Sequence, residues 1–193
     1  MKNNTEVPQV SKEETEIILE LVDKCLSFDG DIVEFGCYKG DTSLLISRLL
    51  KNRRSDKRFW IYDSFAGLPP KSTEDQSVAG EQFQEGSLFV SKKQVINRFK
   101  QAGLKIPIVK KGFFEELNES VDVPEKICFG FLDGDLYQSI KTSLKLCDGK
   151  VVPGGIIIVH DYNNPELPGV AKAVDEYKKA RLNVIKSLAI LQF

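Results

Sequence analysis

A chain of 193 residues, 41% hydrophobic and 28% charged, is long enough to bury one sizeable core, and a single domain over residues 1–193 is expected. Its formal net charge of -1 gives no reason to propose nucleic acid or an anionic membrane surface as a partner, and the locally basic run Lys51–Arg58 reads as a solvated helix end and loop. No segment approaches the roughly 18 apolar residues of a membrane span, nothing at the start resembles a signal peptide, and Cys25, Cys37, Cys128 and Cys147 form no C-x-x-C pair, so a soluble, cytoplasmic protein with free thiols is expected.

Residues Met1–Lys12 are polar and expected to be loosely ordered. Ile17, Ile18, Leu21, Val22 and Leu26 then recur at helical spacing behind a capping box of Ser11 and Glu14, which predicts a leading helix. Ile32, Val33 and Phe35 make a short buried strand, and Leu44, Leu45, Ile46, Leu49 and Leu50 carry the apolar stripe of the next helix. Between them Gly36 and Gly40 permit a sharp turn and a close approach to a ligand at that helix's N-terminus. The dinucleotide fingerprint G-x-G-x-x-G is absent, which disfavours a nicotinamide-dependent oxidoreductase and favours a charged cofactor without a pyrophosphate.

Further strands are predicted at Arg58–Asp63, Ile106–Lys110, Ile127–Asp133 and Gly155–Asp161, each apolar enough for burial on both faces. Helical patterns fall between them at Val95, Ile96 and Phe99 and at Ile140, Ser143, Leu144 and Cys147, with another at Val170, Ala173, Val174 and Tyr177. Leu182–Phe193, two apolar bursts around Lys186 and Ser187, predicts a hairpin that closes the sheet edge. The alternation of strand and helix predicts an α/β fold with a doubly wound parallel sheet. Pro69–Gly86 shows no periodicity, and so long a loop is more often functional than idle.

Ligands of doubly wound sheets bind outside the carboxyl ends of the strands. Here those ends carry Glu34 and Gly36, Asp63 and Ser64, Asp133 and Asp135, and His160 and Asp161. Asp63 follows the glycine turn by about twenty residues, where an acid holds a ribose diol in nucleotide-binding folds; the competing reading is a helix cap. Asp133 and Asp135 repel one another unless a cation or proton lies between them, and with Asp161 they offer hard oxygen ligands to Mg²⁺ or a similar ion. His160, the only histidine, reads equally as a packed residue and as a ligand or proton carrier beside Asp161. No G-x-S-x-G elbow or Walker A pattern is present.

In order, Glu34–Gly40, Tyr62–Pro69, Lys111–Phe114, Leu132–Tyr137, Pro153–Gly155 and His160–Tyr162 resemble the macrocin O-methyltransferase family, S-adenosylmethionine enzymes that methylate sugar hydroxyls of antibiotics. The resemblance covers about Gly30 to Lys178. It implies a Rossmann-like class I methyltransferase fold: a seven-stranded, mostly parallel sheet of order 3-2-1-4-5-7-6 with the last strand antiparallel. It also implies S-adenosylmethionine as cofactor, Mg²⁺ or another divalent metal, and as substrate a small-molecule hydroxyl acceptor such as a glycoside.

Carried over residue by residue, Glu34, Gly36, Tyr38, Gly40, Thr42 and Ser43 would surround the methionine part of the cofactor. Asp63, with Ser64 and Phe65, would hold the ribose, and Gly112 and Phe113 would frame the adenine. Asp133, also beside the cofactor, and Asp161 match metal ligands, and His160 stands where the family commonly has a further Asp ligand. Asp135 matches the general base, and residues 69–89 would form a lid. Family members commonly dimerise through their N-terminal regions, but that segment is brief here, so the assembly stays open between a monomer and a homodimer. The alternative function is a catalytically degenerate protein of this fold that binds cofactor or glycan without turnover.

Overall fold

The computed structural model describes residues 9–193. The expectation of a loose start therefore falls outside the described residues for positions 1–8, whereas Lys12 already opens the first helix, α1 (Lys12–Cys25). The capping box forms as expected. The Ser11 hydroxyl accepts the Glu14 N–H at 3.2 Å, while the Glu14 carboxylate accepts the Ser11 N–H at 3.2 Å and its hydroxyl at 2.6 Å.

The remaining elements are β1 (Asp31–Phe35), α2 (Asp41–Arg53), β2 (Phe59–Asp63), α3 (Lys92–Gln101), β3 (Ile108–Lys111), α4 (Glu119–Asp122), β4 (Ile127–Leu132), α5 (Tyr137–Cys147), β5 (Val151–Val159), α6 (Pro168–Glu176), β6 (Arg181–Ile185) and β7 (Leu188–Gln192). They build one seven-stranded sheet in the order β3-β2-β1-β4-β5-β7-β6. The pairs from β3 to β5 are parallel, and β7 runs antiparallel to both β5 and β6. Among the described residues no helix is long and apolar enough to cross a membrane.

The sheet divides two apolar layers. Ile32, Phe129, Phe131, Ile156 and Ile158 face α1, α2 and α3, whereas Val33, Phe35, Leu132, Ile157 and Val159 face α5 and α6. Every residue of β1 is buried, as a central parallel strand requires. Phe35 stacks on Tyr62 with ring centroids 4.2 Å apart, and Phe114 meets it edge-on at 5.3 Å.

Three expectations about the strands need correction. β3 begins at Ile108, two positions later than the apolar run suggested, because Pro107 has no N–H for the ladder. As the edge strand it is half-buried and not covered on both faces. β5 begins at Val151, before Gly155, because the register shift opposite Ile127 to Phe129 accommodates an exposed Pro153-Gly154 segment within the strand.

The long loop after β2 is held by Asp75, which sequence patterning did not reveal. Its buried carboxylate accepts the Ser72 N–H at 3.0 Å and hydroxyl at 2.6 Å, and the Tyr137 N–H at 2.7 Å. Leu136, the N-cap of α5, offers no side-chain cap, so Asp75 supplies one from a distant loop. Gly169 in α6 leaves the room, since a Cβ there would lie 2.0 Å from Asp75 Oδ1. Glu74 pairs with Lys172 at 3.2 Å, and the Ser77 hydroxyl donates to the Pro165 carbonyl at 2.8 Å. Asp75→Ala would strand a buried N–H and should lower stability by about 2–3 kcal/mol. A urea denaturation midpoint equal to that of the parent protein would contradict this anchoring role.

Candidate active site

The parallel hydrogen-bond ladder continues for one rung past the strand ends. Gly36 N–H donates to Tyr62 O at 2.8 Å, Asp133 N–H to Phe35 O at 2.8 Å, His160 N–H to Leu132 O at 3.0 Å and Gly112 N–H to Asp63 O at 3.1 Å. Residues far apart in sequence are thereby fixed at one height along a single rim. Gly36 takes a φ of 86°, and a Cβ on it would stand 2.0 Å from the Asp133 carbonyl oxygen. Backbone sense and space both demand glycine there. Gly40, at φ 80°, caps α2 and points its N-terminus at the rim.

A cavity of about 250 Å³ opens at this rim. Gly36, Tyr38, Asp63, Ser64 and Phe113 line it together with Asp133, Asp135, His160 and Asp161. A side chamber of about 80 Å³ shares Gly36, Tyr38 and Asp133 and adds Glu34 and Thr42. The other predicted residues stand behind these walls. Gly40 turns the chain into α2, Ser43 donates its hydroxyl to Glu34, Phe65 is packed in the core, and Gly112, at φ 149°, turns the chain after β3. From the long loop Pro69, Phe83 and Leu88 reach the cavity.

Sequence reasoning missed Gln9, Ser139 and Asn164, which also line the cavity. Asn164 had a signal in the Asp161-Tyr162-Asn163-Asn164 run, and its amide donates to Asp161 Oδ1 at 3.0 Å. Gln9 and Ser139 are brought in by tertiary packing and carried none.

Asp63 is a brace as well as a wall. Its Oδ2 accepts the N–H groups of Cys37 and Tyr38, both at 3.0 Å, and its Oδ1 accepts that of Phe65 at 2.8 Å. Neither helix capping nor a free ribose-binding carboxylate describes it fully, because it ties the glycine turn to β2. Oδ1 keeps an acceptor position for a ligand. Burial raises the Asp63 pKa in spite of these bonds.

Glu34, on β1 and almost fully buried, is pushed up to about 8 by burial, opposed by the Ser43 hydroxyl and reinforced by Asp133 and Asp63. Burial and then repulsion from Asp133 and Asp161 raise Asp135 well above the usual carboxylate range. His160 is 4% exposed. Its Nδ1 lies 2.9 Å from Asp133 Oδ1 and 3.2 Å from Asp161 Oδ2, and its Nε2 lies 3.9 Å from Glu14 Oε2. Burial alone would lower its pKa, but Asp133 and then Asp161 hold it up at about 11. Asp133, His160 and Asp161 each offer a ligand atom, and these atoms lie within 4.8 Å of one another. Two carboxylate oxygens and an imidazole nitrogen form a donor set that fits a divalent ion, which would take the place of the ring proton.

The strand order and the acid-lined rim beside a glycine turn define a class I methyltransferase fold. Residues 15–189 match the family described as macrocin-O-methyltransferase (TylF), and the chain belongs to that family. It is 29% identical over 155 residues to the 8-demethyl-8-(2,3-dimethoxy-alpha-L-rhamnosyl)-tetracenomycin-C 4'-O-methyltransferase of Streptomyces olivaceus. It is 30% identical over 156 residues to the demethyldecarbamoylnovobiocin O-methyltransferase of Streptomyces niveus. Each match covers 77% of this chain and 58% of the relative, so the chain spans well under two thirds of their length. Among solved structures, the O-methyltransferase NovP superposes with a TM-score of 0.79 at 27% identity, over 93% of this chain and 79% of that one. The calicheamicin methyltransferase CalS11, at 18% identity and a TM-score of 0.76 over 98% and 87% of the two chains, shares the fold.

Glu14, behind His160, gives a pH signature. Burial raises its pKa, but hydrogen bonds from Ser11 and Ser187 outweigh that and hold it down at about 2, against an ordinary 4.5. The folded state therefore binds fewer protons at Glu14 than the unfolded chain does. The stability it contributes is complete above pH 4.5 and is lost as pH falls toward 2. Urea midpoints taken from pH 6 to pH 3 should fall less steeply for Glu14→Gln than for the parent protein, and equal slopes would contradict this.

Proposed function

We propose that the chain is an S-adenosylmethionine-dependent O-methyltransferase acting on a hydroxyl of a sugar or other small molecule, assisted by a divalent ion. The observation that carries this reading is the placement of the glycine turn, through Gly36 and Tyr38, in the same cavity as Asp133, Asp135 and Asp161, with the start of α2 lining the side chamber that shares Asp133. Family membership and the substrates after which the relatives are named, a rhamnosyl tetracenomycin and demethyldecarbamoylnovobiocin, support a glycoside acceptor.

In this reading Glu34, Gly36, Tyr38 and Thr42 receive the methionine part of the cofactor, with Gly40 and Ser43 shaping that wall from behind. Asp63 accepts from the ribose hydroxyls through the free position on Oδ1. Ser64 and Phe113 bound the nucleoside, and Phe65 and Gly112 hold the backbone on which they stand. The transferred carbon belongs to the cofactor, so the protein's task is to present a nucleophilic oxygen in line with it. Asp135, in its ionised form, takes the hydroxyl proton as the general base. A divalent ion held by Asp133, His160 and Asp161 would lower the pKa of the acceptor hydroxyl. Pro69, Phe83 and Leu88 shield the site from water on the side of the long loop, which is the part of a lid.

Calorimetric titration with S-adenosylhomocysteine should show saturable binding at one site per chain, and no heat of binding would sink the proposal. Asp135→Asn should keep that binding within a few-fold while methyl transfer from labelled cofactor to deoxysugar glycosides drops at least about 100-fold. Cofactor binding without transfer in both proteins would instead mark a binding protein of this fold.

A further inference from the structure

His160 differs chemically from the acids around it, and Glu14 stands behind it. The ring is buried on the face of the sheet that α1 covers, and the ladder bond from its N–H to Leu132 O fixes its backbone beside Asp133. Around an octahedral ion with bonds of about 2.1 Å, neighbouring donor atoms stand about 3 Å apart. Nδ1 lies 2.9 Å from Asp133 Oδ1 and 3.2 Å from Asp161 Oδ2, so the spacing suits adjacent ligands of one ion. Asp161 is itself oriented, because the Asn164 amide occupies Oδ1 and leaves Oδ2 toward the ring.

The opposite ring nitrogen, Nε2, faces Glu14 Oε2 at 3.9 Å. Glu14 is fixed in turn by the Ser11 N-cap and by the Ser187 N–H and hydroxyl of the hairpin turn. A carboxylate behind one nitrogen of an imidazole whose other nitrogen faces two further carboxylates is how proteins orient a histidine ligand. Imidazole nitrogen favours first-row transition ions, whereas Mg²⁺ favours oxygen alone.

We propose that Asp133 and Asp161 oxygens with His160 Nδ1 form a mixed oxygen and nitrogen site that takes a first-row transition ion in preference to Mg²⁺, and that Glu14 is its positioning residue. This deepens the methyltransferase reading, on whose cation site it rests. It assigns that site a metal class and an outer carboxylate.

The chain's single histidine makes the test specific, provided that no polyhistidine tag is present. Mn²⁺ added to the protein should bind saturably, and electron spin echo spectra of the bound ion should carry imidazole nitrogen modulation. Competition should show Mn²⁺ binding at least tenfold more tightly than Mg²⁺. His160→Asp should abolish the modulation and narrow that ratio, and Glu14→Gln should keep the modulation while weakening Mn²⁺ binding about 10–100-fold. Bound Mn²⁺ without nitrogen modulation, equal competition by Mg²⁺, or no saturable Mn²⁺ binding would each overturn the metal assignment. Unchanged Mn²⁺ affinity in Glu14→Gln would overturn the positioning role. S-adenosylhomocysteine titrated into the same samples separates the two readings. Cofactor binding without Mn²⁺ binding fails the metal inference alone, and nitrogen-coupled Mn²⁺ without cofactor binding fails the methyltransferase reading alone.

Discussion

The contact between Gly36 and the Asp133 backbone governs the rest of the site. β1 and β4 are neighbours in register from Ile32 opposite Phe129 to Phe35 opposite Leu132, and the ladder runs on through the Asp133 N–H to Phe35 O. Because a Cβ at Gly36 would stand 2.0 Å from Asp133 O, the glycine turn and the first acid of the Asp133-Gly134-Asp135 run press together without a side chain between them. The same rung carries His160 and Gly112, so parallel register converts four distant segments into one rim.

That rim concentrates negative charge in a place poor in water, and the structure answers each carboxylate differently. Asp63 is met by three backbone N–H groups, Glu34 by the Ser43 hydroxyl, and Asp133 and Asp161 by His160. Asp135 has burial and two acids against its charged form, which raises its pKa. Backbone strain gathers in the same region. Tyr38, Phe65, Asp135 and Asp161 adopt φ between 44° and 62°, a conformation that costs side-chain-bearing residues on the order of 1 kcal/mol or more each. Charge repulsion and strain at one rim, around a core that is otherwise regular, are the expected cost of holding reactive groups in place.

The first strand, glycine turn and second helix were legible because hydrophobic period, glycine spacing and a terminal acid coincide within a few residues. The C-terminal hairpin around Lys186 and Ser187 was equally plain, and the structure pairs β6 with β7 there. The start of β3 was not legible, since Ile106 satisfies the apolar pattern while Pro107 withholds the hydrogen bond. Asp75 and Glu14 carried no signal beyond local capping, because their deciding partners, Tyr137 and Ser187, lie 62 and 173 residues away. His160 was open between packing and chemistry for a similar reason. Glu14 behind one ring nitrogen and Asp133 at the other come from other elements, with only Asp161 adjoining it in sequence, and it proves to be buried and to face the rim at once.

The site's organisation around the glycine turn is tested most directly by a crystal structure of the protein grown with S-adenosylhomocysteine. The homocysteine part should lie over Gly36 to Gly40, with the ribose at Asp63 and the sulfur directed toward Asp135. A ligand bound elsewhere, or one whose sulfur faces away from the Asp133, Asp135 and Asp161 cluster, would contradict the assignment of this rim as the place of methyl transfer.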